Sequence, residues 1–320
     1  MKEDLIKLIG TCPLKESEKF RLHQGWWRAF VLKEKEGQYT YKGKNKEIKT
    51  GYVCNRINDE GFQGLNFLSD QIIKIVSDTL NNRIIESSGI IDKERLYNNL
   101  LSSQPLAFNF MGFLKANPNL ALRFIRKILP EVTQFETIEF EFAPKESRDH
   151  SAFDFAFIVN IENKRGIIGF ECKYTDEFSY KRPKTNSFYG DCNDKNYGSY
   201  SKIFNTNIDR FLCNYEDYVS NKYFNQLFRN ELLATLFKSE FDFIKTGLFC
   251  HQNDKQTINS GNQFQKMIGN KTDDFIILTY QKYFEILQQL DLTWEEREFT
   301  MLLWARYCGL QLSKGILKSK

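Results

Sequence analysis

The chain is 320 residues long, 41% apolar and 27% charged, with a formal net charge of +4. That balance describes a globular protein rather than a disordered one, and the mild charge permits a local basic groove without demanding one. Twenty-nine phenylalanines bring the aromatic share to 15% with Tyr and Trp, which is ample for one large domain or a core with an appendage.

Seven cysteines (Cys12, Cys54, Cys172, Cys192, Cys213, Cys250 and Cys308) are scattered, odd in number and never in a Cys-x-x-Cys pair. They predict neither a zinc module nor a disulfide framework and suit a reducing cytoplasm. Only His23, His150 and His251 are available, so a His-based metal or catalytic site is poorly supplied. The first residues, Met1-Lys-Glu-Asp-Leu-Ile-Lys, hold no signal-peptide hydrophobic stretch. No apolar run approaches the roughly 20 residues of a membrane-spanning helix. The expectation is a cytoplasmic protein with no membrane partner.

Residues 1–60 read as an N-terminal appendage. Gly25-Trp26-Trp27-Arg28 begins an apolar element, and Lys33 to Lys49 reads as a charged loop in which Lys42, Lys44 and Lys46 are candidate phosphate contacts. Leu68, Ile72, Ile75, Val76 and Leu80 recur at helical spacing, with Ser69-Asp70 placed to cap that helix. A second helix is expected at Lys93 to Leu101. The core begins near Ser102, with a buried helix at Leu106 to Leu114 and an amphipathic one from Pro118, stopped by Pro130. Thr137-Ile-Glu-Phe-Glu-Phe-Ala alternates as a strand, and two more strands follow, joined by the polar turn Asn160 to Gly166.

Beyond them, the long stretch Tyr180 to Lys202 interleaves Lys181, Arg182 and Lys184 with Phe188, Tyr189, Tyr197 and Tyr200. Such a mix suits gripping a nucleic-acid backbone and stacking a base. A helix at Asp217 to Lys238, strands at Phe241 to Cys250 and Phe275 to Tyr280, and helices at 281–289 and 294–311 complete the reading. The expected partition is 1–60, a core of 61–290 and a C-terminal helical closure at 291–320.

The second and third core strands carry the chemistry. Side chains alternate along a strand, so Phe153, Phe155 and Phe157 are expected to point one way and Asp154 and Ala156 the other. Glu171 and Lys173 then share a face opposite Phe170 and Cys172. Glu-x-Lys also occurs at Glu47/Lys49 and Glu162/Lys164, but there in polar segments. Only Glu171-Cys-Lys173 interrupts an apolar strand, where charge is costly unless it is paired or bound to metal. Antiparallel pairing brings Asp154 beside Glu171 and Lys173, whereas a slip of one residue would turn it into the core. An aspartate on one strand with Glu-x-Lys on the next is the set a magnesium-dependent phosphodiesterase needs.

The element order αβββαβ with Asp154…Glu171-x-Lys173 resembles the PD-(D/E)XK, restriction endonuclease-like, fold. That fold is an α/β architecture with a mixed central sheet flanked by helices. The segments Ser103-Gln104-Pro-Leu-Ala-Phe-Asn109, Ser151-Ala-Phe-Asp154, Gly169-Phe-Glu171-Cys-Lys173 and Gln226-Leu-Phe-Arg229 are similar to a narrower group of bacterial restriction endonucleases. One departure is that Phe153 stands where the proline of the superfamily's name would precede Asp154.

The resemblance implies that Asp154 and Glu171 hold Mg²⁺, with Mn²⁺ able to substitute and the backbone carbonyl of Cys172 completing the shell. It implies that Lys173 orients the attacking water or stabilises transition-state charge. It offers Gln226 as an accessory residue, because related nucleases often place a glutamine on that helix. The residues themselves add Gln104 and Asn109, which capping or core hydrogen bonding explains equally, Glu141, which a solvated strand face explains equally, and Arg229, as a phosphate contact or the partner of a nearby acid. The resemblance also implies a DNA-cutting endonuclease of restriction or phage defence, with RNA left open and a homodimer suited to cutting both strands. The alternative is a catalytically silent or partner-activated nucleic-acid-binding protein, whose partner would be an ATPase or sensor because this chain holds no P-loop.

Overall fold

The computed structural model describes residues 2–42, 48–82, 90–144, 151–175, 178, 200–268 and 274–316. The chain opens with α1 (Lys2–Ile9) and α2 (Lys19–Trp27), then a hairpin of β1 (Gly37–Lys42) and β2 (Ile48–Val53). Four helices follow: α3 (Asp70–Asn81), α4 (Lys93–Asn98), α5 (Ser103–Ala116) and α6 (Pro118–Ile125). They lead into β3 (Gln134–Phe142), β4 (Phe153–Ile161) and β5 (Lys164–Lys173). After these come α7 (Tyr200–Thr206), α8 (Tyr215–Val219), α9 (Asn225–Leu236), β6 (Phe243–Cys250), α10 (Lys255–Met267) and β7 (Phe275–Thr279). The helices α11 (Tyr280–Gln288), α12 (Trp294–Tyr307) and α13 (Gln311–Lys314) finish the described chain.

The sheet has the order β3-β4-β5-β6-β7, antiparallel from β3 to β5 and parallel from β5 to β7. This is the mixed, helix-flanked α/β sheet that the sequence predicts. One face lies on α5, whose residues Ser103 to Leu114 are all buried, as a helix apolar on every side requires. Phe110 packs there among the rings of Phe249, Tyr280, Tyr283 and Tyr307. The other face lies on α9 and α10, where Phe228, Leu232, Leu248 and Phe264 share a second cluster.

Sequence signals explain several element ends. The Ser69 hydroxyl caps α3 by accepting from the Ile72 amide at 3.4 Å. Asp254 caps α10 through the Thr257 amide at 3.0 Å, a helix whose polar sequence hides its periodicity. The helix expected at Asp217 to Lys238 is in fact two, because Asn225 turns its side chain back onto the Val219 carbonyl at 3.0 Å. The charged stretch Lys33 to Lys49 forms most of a hairpin instead of a loop. Within it Lys44 and Lys46 lie outside the described residues, as does the side chain of Lys42.

The expectation of no disulfide is corrected: Cys12 and Cys54 are bonded across 42 residues, with Cα atoms 5.3 Å apart. Spacing alone gives no hint of a pair that only the fold assembles. Gly25 on α2 makes the room, since a Cβ there would lie 2.4 Å from the Cys12 sulfur. The segment expected as an appendage is also tied to the rest of the chain. The Gln24 amide donates to the Tyr174 hydroxyl at 2.9 Å and to the Arg306 carbonyl at 3.0 Å. His23 meets the Ala305 carbonyl and the Ser313 hydroxyl, each at 2.9 Å.

Strict alternation breaks where β3 and β4 meet the site. Phe155 and Phe157 join the cluster on α5, whereas Phe153 packs against Phe237 on the opposite face. Its neighbour β3 does the same, with Phe140 stacked on Phe108 and Phe142 on Phe237. Between the two β3 rings stands Glu141, with a left-handed φ of 49° that turns the strand end over. Gly169 on β5 admits the displaced ring, because a Cβ there would sit 2.4 Å from Phe153. A Gly169→Ala protein should lose about 1–3 kcal/mol of stability by overpacking. Equilibrium urea unfolding reads this, and an unchanged midpoint would show that the ring can move aside at no cost.

Candidate active site

The site grows from strand register. The ladder of β4 and β5 ends at Phe155 opposite Phe170, so one further step sets Asp154 opposite Glu171. The ladder of β3 and β4 pairs Phe140 with Phe155 and Phe142 with Phe153, which sets Glu141 opposite Asp154. Three carboxylate-bearing residues therefore stand in one row across three strands. The Asp154 carboxylate accepts from the Cys172 backbone amide at 2.5 Å and so caps the end of the ladder.

Glu171 and Lys173 lie on the same face and are 3% and 5% exposed, which makes them a buried ion pair with Nζ and Oε1 2.9 Å apart. Burial of such a pair demands further partners, and α9 supplies them. The Gln226 side chain bridges both: its carbonyl oxygen accepts from Lys173 at 3.0 Å and its amide donates to Glu171 Oε1 at 2.6 Å. One helical turn on, the Asn230 amide donates to Glu171 Oε2 at 2.7 Å. The Tyr280 hydroxyl at the head of α11 fixes the strand itself by donating to the Lys173 carbonyl at 2.6 Å.

Electrostatics single out Asp154. Burial pushes its carboxyl well above the ordinary range, and the charges of Glu171 and Glu141 push it further. Lys173 and the Cys172 amide pull the other way without offsetting that. Negative charge is thus in excess around these carboxylates, as a cation site requires. Their oxygens are hard donors, fitted to Mg²⁺ or Mn²⁺. Among the described residues no three His, Cys, Asp or Glu side chains already converge as a metal cluster. The residues present fit a cation shared between Asp154 and Glu171, not an all-protein cage.

The other predicted residues fall into three groups. Glu141 and Gln104 meet at the edge of the site, with the Gln104 amide donating to Glu141 Oε1 at 2.8 Å and to the Ile90 carbonyl at 2.7 Å. Asn109 is not brought to the site. It is fully buried, accepts from the Leu68 amide and donates to the Asn66 carbonyl and the Tyr307 hydroxyl, so core hydrogen bonding accounts for it. Arg229 is buried too, donating to the Ser151 hydroxyl at 2.6 Å and to the Asn225 carbonyl oxygen at 3.2 Å. Ser151 stands three residues before Asp154, so Arg229 reaches the entry to that strand. Lys181, Arg182, Lys184 and Tyr189 lie outside the described residues. Sequence reasoning missed Asn230 and Tyr280. The signal for Asn230 was its i,i+4 spacing from Gln226, which puts both on one helix face.

Comparison with known proteins agrees with this geometry. A model described as the PD-(D/E)XK nuclease superfamily matches residues 15–309, well over half of the chain, and the chain belongs to that superfamily. The match begins within the segment expected as an appendage. No curated protein and no solved structure matches. The membership makes phosphodiester hydrolysis of nucleic acid the class of activity. Among the described residues no helix is long and apolar enough to cross a membrane.

Proposed function

We propose that the protein is a Mg²⁺-dependent endonuclease that hydrolyses DNA, acting in restriction or phage defence. The observation that carries this reading is the buried Glu171–Lys173 pair beside an Asp154 whose carboxyl is pushed high by its acidic neighbours. Asp154 and Glu171 would hold the cation, with the Cys172 carbonyl as a further ligand. The cation, when bound, polarises the scissile phosphate and makes hydroxide accessible at neutral pH.

The chain's own residues do the rest. Lys173 presents an ammonium already oriented by Glu171 and Gln226, so it stabilises developing charge without having to reorganise. Gln226, touching both members of the pair, keeps their spacing fixed. Tyr280 holds the Lys173 backbone against the pull of substrate.

The deciding experiment is incubation of plasmid, linear duplex and single-stranded DNA, and RNA, with the purified protein in Mg²⁺, Mn²⁺ or EDTA. Cleavage is expected with either metal and not with EDTA, and Lys173→Ala should lower it by about a thousandfold or more. Full activity in EDTA or in the Lys173→Ala protein would refute the assignment. Cleavage that appears only after an ATPase or sensor is added would move the reading to a partner-activated effector.

A further inference from the structure

The hydrogen bonds around Glu171 are unevenly shared. Oε1 takes two donors, Lys173 Nζ at 2.9 Å and Gln226 Nε2 at 2.6 Å, which occupy both of its lone pairs. Among the described residues Oε2 takes one, Asn230 Nδ2 at 2.7 Å, and keeps a lone pair. Asp154 Oδ2 is held by the Cys172 amide, and among the described residues no hydrogen bond reaches Oδ1. A cation held by both carboxylates therefore has Glu171 Oε2 and Asp154 as its available acceptors.

We propose that Asn230 is a positioning residue for this centre: by fixing Glu171 Oε2 it sets the plane of the carboxylate and so presents the remaining lone pair to a divalent cation. Lys173 and Gln226 both grip Oε1 and leave the carboxylate free to swing about that atom. The second grip, on the other oxygen, stops the rotation. Asn230 is 5% exposed, so water cannot readily take its place.

The helix bearing it is itself anchored by the neighbouring i,i+4 pair. Asn225 and Arg229 are bonded to each other, and Arg229 donates to Ser151 at the entry to β4. One helix thus sets both the Glu171 carboxylate and the strand carrying Asp154. Partners of this kind typically change metal affinity or activity by about 10–100-fold. The inference rests on the metal-dependent reading above.

Its test is calorimetric titration of the full chain with Mn²⁺ in the absence of DNA, for wild type, Asn230→Ala and Asn230→Leu. Leucine keeps the volume and removes the donor, so it separates lost positioning from a cavity. Both variants should bind Mn²⁺ about 10–100-fold more weakly. Their affinity for duplex DNA in EDTA and the thermal midpoint of the Leu variant should stay close to wild type. The Mg²⁺ concentration for half-maximal cleavage should rise, while kcat at saturating Mg²⁺ recovers to within a few fold.

Wild-type Mn²⁺ affinity in the folded Leu variant overturns the role of Asn230 and leaves the nuclease reading intact, as does a fall in activity that saturating Mg²⁺ does not recover. Failure of the wild type itself to bind Mn²⁺ sinks the metal-dependent reading, and this inference with it.

Discussion

Asp154→Asn is expected to abolish cleavage and at the same time raise the thermal midpoint of the metal-free protein. The two effects come from one cause. Asp154 stands between Glu171 and Glu141, and burial with both neighbouring charges pushes its carboxyl well above the usual range. A carboxyl raised in this way prefers its protonated form in the folded state. Above the ordinary carboxylate range, near 4, the ionised side chain therefore costs stability, and the cost vanishes as pH falls below that range. Asparagine removes the charge and keeps an oxygen that can accept the Cys172 amide.

The gain should be about 1–2 kcal/mol, the usual size when a functional site is relieved of strain, with cleavage down by about a thousandfold or more. Addition of Mg²⁺ should raise the midpoint of the wild type and leave that of Asp154→Asn unmoved. Calorimetric melts with and without Mg²⁺, beside cleavage assays, check all three statements. A destabilised Asp154→Asn protein would mean that the aspartate is structural and that its charge is not under repulsion.

Mild acidification should destabilise the wild type steeply, and two histidines should account for most of the slope. Burial lowers both His23 and His251 from 6.5 to about 4. His23 is held neutral between the Ala305 carbonyl and the Ser313 hydroxyl. His251 accepts the Asn253 amide on Nδ1 at 3.0 Å, and its Nε2 is buried without a partner among the described residues. Its ring lies 4.8 Å from that of Phe20 and 5.6 Å from that of Tyr280, with the charge of Lys19 adding to the opposition.

A histidine lowered on folding binds its proton more tightly when unfolded. Its contribution is complete above pH 6.5 and is lost as pH falls toward 4. Each ring is worth about 3 kcal/mol across that window, at about 1.4 kcal/mol per pH unit. Urea unfolding of wild type and His251→Phe at intervals from pH 7 to about 4.5 measures the difference in slope above the range where most carboxylates titrate. Equal slopes would show that His251 titrates normally in the folded state. Because Asp154 is present in both proteins, its opposite contribution cancels in the comparison.

Legibility in the sequence followed the range of the interaction. The strands β3 to β5 were readable because apolar alternation is a period-two local signal, and the Ser69 cap and the Pro118 helix start are equally local. Glu171 and Lys173 stood out because charge two residues apart inside an apolar strand has few structural excuses. Their shared face follows from covalent geometry alone. The α/β class and the αβββαβ order followed from counting such elements, and superfamily membership agrees with them.

What local pattern could not carry was set by contacts between distant segments. The flip of Phe153 depends on Gly169 across the ladder and on the left-handed backbone at Glu141, neither of which alternation records. The Cys12–Cys54 bond depends on a gap left by Gly25. Asn109 looked like a site residue by its neighbours in sequence and became a core residue because Leu68, Asn66 and Tyr307 surround it. Which strands bear the carboxylates and the lysine is written in the local pattern, since strand periodicity is fixed by the chain's own geometry. That α9 docks Gln226 and Asn230 onto Glu171 emerges only in the folded molecule, because helix-to-sheet docking is chosen by the packing of whole faces and leaves no mark at the residues it brings together.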